Sequence, residues 1–107
     1  DILPWIIIQS FDRRTLEQVH AHYPNVRTSL LTSSGSLEDN LKKLSFKPTI
    51  YSPNMKLVTA ELVKDSHKLG LKVIPWTVND EQEISRLKLM GVDGIISDYP
   101  NLLTSKN

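Results

Sequence analysis

With no cysteine among its 107 residues, the chain has neither disulfides nor thiolate metal ligands available to it. An excess of either charge is also lacking: 13 Lys and Arg stand against 12 Asp and Glu, a formal net charge of +1. The basic residues are scattered and not interleaved with aromatics, so there is no electrostatic case for nucleic acid or an anionic membrane surface. Long hydrophobic runs are absent too. The longest, near Leu3 to Ile8, falls far short of the roughly 20 apolar residues that span a bilayer. No signal peptide precedes that run. The chain opens at Asp1 and turns apolar almost at once, the pattern expected of a cut through a larger protein.

What is present is an alternation of short apolar runs with helix-period segments, the signature of parallel βαβ units. The first strand is expected over Trp5–Ser10, whose β-branched character suits burial on both faces. Asp12 then offers a helix cap, with Leu16, Val19 and Tyr23 on one apolar face and Pro24-Asn25 as the stop. A second strand is expected over Val26–Leu31. Ser36 caps a short helix through Leu44, and Thr49–Tyr51 forms a brief third strand. Pro53 suits the first turn of the next helix, which runs to about Leu69 with Gly70 just past its end. The fourth strand is expected over Leu71–Val78. Asn79 and Gln82 then read as cap and third-position partner for a helix carrying Ile84, Leu87 and Met90. Gly91 ends that helix, and Gly94–Ser97 closes the series as a fifth strand.

Two segments, Trp76-Thr77-Val78-Asn79 and Gly91-Val92-Asp93-Gly94-Ile95-Ile96-Ser97-Asp98-Tyr99-Pro100, are spaced by one helix. They resemble the last two βα units of the glycerophosphodiester phosphodiesterases, whose form is W-T-V-N followed by G-V-D-G-I-I-T-D-x-P. Ser97 replaces the usual threonine and keeps the hydroxyl. Upstream, Gln9-Ser10-Phe11-Asp12 looks like the S-F-D end of the family's fourth strand. Ser66-His67-Lys68-Leu69-Gly70 is similar to its A-H-x-x-G helix end, with Ser66 in place of alanine. The resemblance covers essentially the whole chain, residues 1–107, as strands four to eight of the family's barrel. It implies an α/β fold: a partial (βα)₈ TIM barrel of about five parallel strands, where a complete barrel takes about 250 residues.

The resemblance also implies what should lie elsewhere. The family's H-R-G and H-D histidines, its P-E-N-T and E-x-D metal-binding acids and its E-x-K pair have no counterpart in this sequence. Phosphodiester hydrolysis needs charge neutralisation at the phosphoryl oxygens, a base or nucleophile, and an acid for the leaving alkoxide. The resembled enzymes use magnesium or calcium for the first and two histidines for the proton transfers. The chain is therefore expected to hold no catalytic residue and to bind no metal itself.

The residues agree. His20, His22 and His67 all fall on helices, away from the strand ends where barrel chemistry sits, and read as structural or exposed. His20 and His22 are two apart on one helix and cannot pair. Asp93 and Asp98 flank the last strand and cannot share one small site. Asp98 reads as ordering the Ser97-to-Pro100 turn, and Asp12 and Asn79 as caps. Ser10 has no base nearby and is not a nucleophile.

What this chain should supply is a substrate wall. Trp76, near a strand end, should reach the barrel mouth, and Gln9 and Phe11 should face the interior with Ser10 turned away. The implied partners are the missing N-terminal barrel portion or a second copy of the chain, and the implied ligand a small glycerophosphodiester. The rival is a non-catalytic binding or self-association module, a truncated barrel kept for its surface. Another phosphate-handling barrel enzyme is a third reading, which the paired W-T-V-N and S-D-Y-P motifs disfavour.

Overall fold

The structure, a computed structural model, describes residues 6–98. Strands β1 (Ile7–Ser10), β2 (Arg27–Thr32), β3 (Ile50–Pro53) and β4 (Lys72–Val73) alternate with helices α1 (Arg13–His22), α2 (Leu37–Lys42), α3 (Ala60–Lys68) and α4 (Glu81–Met90). A 3₁₀ turn, Met55–Leu57, leads into α3. The four strands are parallel and lie in the order β1-β2-β3-β4, so each pairs with its sequence neighbour.

Local chemistry sets most of these limits. Asp12, Ser36 and Thr59 each accept a backbone N–H from the first turn of the helix that follows. Gly70 and Gly91 adopt φ of 81° and 90° just past α3 and α4, a left-handed conformation that glycine reaches without a Cβ clash.

Register assigns the faces. Ser10 stands opposite Leu30, Leu30 opposite Tyr51, and Tyr51 opposite Val73. Leu30 and Tyr51 pack with Leu16 of α1, Leu44 and Leu71. Val73 packs with Val63 of α3, Ile84 and Leu87 of α4, and Val78. The helices thus cover one side of the sheet, as on the outside of a barrel. By strand alternation Gln9, Ser29, Leu31 and Ser52 project to the other side. A buried hydrogen bond ties the helical layer to the sheet, with Asn40 Nδ2 donating to the Tyr51 hydroxyl at 2.9 Å.

Several element limits differ from the sequence reading. β1 starts at Ile7, and Trp5 lies outside the described residues. Tyr23 does not complete the apolar face of α1; it is 58% exposed and ends the helix. β2 is displaced by one residue, to Arg27–Thr32. Pro53 does not start a helix but closes β3. Asn54 turns the chain by accepting the Lys56 N–H, and Thr59 is the real cap of α3.

β4 has only two residues. Pro53 has no N–H to give the Ile74 carbonyl, which the Ser52 hydroxyl meets instead at 2.6 Å, and Pro75 has none for the segment on the other side. The ladder nevertheless continues: Ile74 N donates to Tyr51 O and Trp76 N to Pro53 O, both at 3.1 Å. The fifth strand expected over Gly94–Ser97 is not a regular strand. It is an extended segment beside β4, held by Asp93 N to Val73 O, Ile96 N to Pro75 O and Val78 N to Ile96 O at 2.8–3.0 Å. The partial parallel barrel therefore has four strands among the described residues, with the fifth as this attached segment.

Candidate functional site

In parallel α/β barrels chemistry gathers where the strands end and the loops to the helices begin. At that end, Phe11 follows β1 and Trp76 follows β4. Their rings meet edge to face, with centroids 5.5 Å apart and planes at 87°. Trp76 is half-buried and Phe11 is 58% exposed. The indole is fixed rather than free. Its Nε1 donates to Ser52 O at 2.9 Å, its backbone N donates to Pro53 O, and its carbonyl accepts Met55 N at 2.7 Å. The Trp76–Thr77 peptide bond is cis. Gln9 is exposed on the same side of β1, while Ile8 packs into the core beneath the helices. Phe11 and Trp76 are thus brought together, and Gln9 lies on the same face of β1.

Beside Trp76, Asn79 does not cap a helix. Asp80 takes that role, accepting the Gln82 N–H at 2.9 Å. Asn79 Oδ1 instead accepts Asp98 N at 3.0 Å and the Ser97 hydroxyl at 3.2 Å, and Asn79 Nδ2 donates to Asp98 Oδ2 at 3.2 Å. The sequence reading names Asn79 as the cap, but its neighbour Asp80 is equally capable of capping. The choice is decided by a partner 19 positions away, and so is Asp98, whose carboxylate turns to Asn79. Tyr99 and Pro100 lie outside the described residues.

The histidines stand apart from this mouth. His20 stacks flat on Phe46, with centroids 4.1 Å apart and planes at 2°. His22 Nδ1 lies 3.0 Å from Gln18 O. His67 Nε2 meets Asp93 Oδ2 at 2.8 Å, and the same oxygen accepts Val73 N at 2.7 Å, near the N-terminal end of β4. The Ser10 hydroxyl accepts Asp12 N at 2.9 Å, an ordinary turn contact.

Residues 4–102 match the glycerophosphoryl diester phosphodiesterase family. The chain belongs to that family. It is 34% identical over 98 residues to the glycerophosphodiester phosphodiesterase of Caldanaerobacter subterraneus subsp. tengcongensis, covering 92% of this chain and 40% of that one. Among solved structures, an Oleispira antarctica phosphodiesterase in complex with the product sn-glycerol-3-phosphate superposes with a TM-score of 0.80 at 25% identity. That match covers 92% of this chain and 40% of the other. A Parabacteroides distasonis glycerophosphodiester phosphodiesterase gives 0.73 at 27% identity, over 92% and 43%. The chain spans about 40% of the length of the relatives it matches.

A divalent cation, implied for complete glycerophosphodiester phosphodiesterases, needs several converging oxygen ligands. No group of three or more His, Cys, Asp or Glu converges among the described residues. Asp98 is engaged by Asn79, and Asp12 caps α1 and binds Arg14 at 3.2 Å. These side chains do not fit such an ion by themselves.

Asp93, part of the family's G-V-D-G sequence, acts as a brace. Burial would raise its pKa, but the Val73 N–H and His67 outweigh that and hold the carboxyl below its ordinary value. A carboxyl lowered on folding adds stability above its unfolded pKa, and that stability disappears as pH falls through the folded value. Asp93→Asn is therefore expected to lower unfolding free energy by about 1–2 kcal/mol at pH 7. The gap from wild type should narrow as pH falls below about 3.8, the ordinary value, and close on passing the lower folded value. Urea titrations at pH 7 and pH 3 measure this, and an equal gap at both would contradict the brace.

Proposed function

We propose that this chain supplies strands four to eight of a glycerophosphodiester phosphodiesterase barrel, which hydrolyses a glycerophosphodiester to an alcohol and glycerol 3-phosphate. The observation that carries the reading is the anchored Phe11–Trp76 pair at the C-terminal ends of the strands, in a chain of this family. Two perpendicular rings form an apolar corner on which glycerol carbons can pack while water is excluded. Gln9 extends that wall with a polar edge. The product bound in the Oleispira antarctica relative supports the reaction class.

In this proposal the proton-transfer histidines and the ligands for magnesium or calcium belong to the remaining strands. This chain binds no metal and has no turnover of its own. Its partner is the rest of the barrel, whose arrival would cover Ile7 and Phe11, at present 42% and 58% exposed. No observation favours the self-association module over this reading.

The wall can be tested by steady-state hydrolysis of sn-glycero-3-phosphocholine by the assembled enzyme. Phe11→Ala and Trp76→Ala should each raise KM about tenfold, the equivalent of about 1.4 kcal/mol of binding. Ser10→Ala should leave the reaction unchanged. An unaltered KM in both aromatic variants would remove the pair from the substrate site.

A further inference from the structure

Trp76 is secured on one side by β3, through Ser52, Pro53 and Met55. The residues flanking it in the chain, Pro75 and Val78, bond to the extended segment beside β4. There the backbone supplies two bonds, Ile96 N to Pro75 O and Val78 N to Ile96 O. Past Val78 the chain leaves the ladder for α4, and side chains of the described residues tie the loop down from that point. Asn79 makes three side-chain bonds across this gap, to Ser97 and to both the backbone and the carboxylate of Asp98.

We infer that Asn79 is a positioning residue, a latch between the last two βα loops that holds Trp76 at the angle from which it meets substrate. The inference rests on the reading of Trp76 as a pocket wall. Asn79 is well suited because one amide offers both an acceptor and a donor. Its oxygen takes two donors from residues 97 and 98 while its N–H meets a carboxylate. Aspartate would keep the acceptor, lose the donor and face Asp98 with like charge. Alanine would lose everything. Asp80 carries the cap of α4 unaided, so Asn79 can be changed without removing the helix start.

The experiment uses the assembled enzyme with Trp5 and every tryptophan of the added strands replaced by phenylalanine, so that of the two tryptophans in this chain Trp76 remains as the single emitter. Asn79→Ala should red-shift and broaden Trp76 emission. It should also raise KM for sn-glycero-3-phosphocholine about three- to tenfold while kcat changes less than about twofold, the pattern of lost binding without lost chemistry. Asn79→Asp is the discriminating variant. Its KM should be raised at neutral pH and return toward wild type below about pH 5, where two facing carboxyls share a proton.

A purely structural role would lower melting temperature in both variants without that pH rescue. If Asn79→Ala shifts neither emission nor KM, or if Asn79→Asp follows the wild-type pH profile, the latch is refuted. If Trp76→Ala itself leaves KM unchanged, the pocket reading fails instead. In that case the emission of the Asn79 variants still decides whether the latch exists.

Discussion

Mixed with sn-glycero-3-phosphocholine and magnesium or calcium, these 107 residues alone are expected to release choline no faster than buffer. A polypeptide carrying the first strands of a family barrel, added in trans, should bring turnover. Enzymes of ordinary power exceed the uncatalysed rate by about 10⁶-fold or more, so the contrast is large. The reason is spatial. Proton transfer requires a group within hydrogen-bond reach of the reacting oxygen. His20 lies against Phe46 on the helical side, and His67 is bound to Asp93 near the start of β4, the opposite end from Trp76. The acids nearest the mouth are held by Asn79 and Arg14. Choline release in a coupled assay reads the outcome. Metal-dependent turnover by this chain alone would overturn the division of labour. Solution mass adds a second test: a tight homodimer that ignores the added strands would support the self-association reading.

Replacing Leu87 by alanine is expected to remove about 3 kcal/mol of unfolding free energy, within the roughly 2–5 kcal/mol range for emptied core leucine sites. Leu87 is fully buried among Val63, Val73, Val78 and Ile84, where α4 meets α3 and β4. Each neighbour belongs to a different part of the fold, so the space cannot close by moving one side chain. Against a usual total of about 5–15 kcal/mol, the loss is severe. Leu89, two positions on in α4, is 90% exposed and provides the internal control. Leu89→Ala should stay within about 0.5 kcal/mol of wild type. Urea midpoints of the two variants should differ widely, and coincident midpoints would show that this core is not as the structure has it.

The elements that sequence alone located are those fixed by local chemistry. Asp12, Ser36, Gly70 and Gly91 mark helix ends because capping and left-handed φ are decided within a few residues. The strand character of β1, β2 and β3 follows from their apolar runs. β1, however, alternates exposed and half-buried residues and is not buried on both faces, because no strand of the described residues covers its other edge. What escaped was set by distant partners. Pro53 could have opened a helix, but Asn54 N bonds to Thr32 O at 2.8 Å and keeps the chain in the sheet beyond it. The Gly94–Ser97 segment carries strand-like residues, yet its bonds to Val73, Pro75 and Val78 follow a neighbour that Pro75 makes irregular.

The same distinction runs through the site. Alternation along β1 and the position of Trp76 at a strand end placed both aromatics toward the mouth. Their edge-to-face contact joins residues 65 positions apart, and no local pattern encodes it. The carbonyl of Ser52 as the anchor of the indole is likewise silent in sequence, because backbone acceptors carry no residue signature. Asn79 was visible as a polar residue at a helix start. Only the fold shows that its amide turns outward to Asp98.

The strict succession of strands, each laid beside the one before it, bears on how the molecule is made. A nascent chain leaving the ribosome meets its next hydrogen-bonding neighbour already synthesised, only about one βα unit behind it. Growth can then proceed by accretion from one edge, with no wait for a distant C-terminal segment. Among the described residues, the stretch through Asp98 is the last to reach its neighbour.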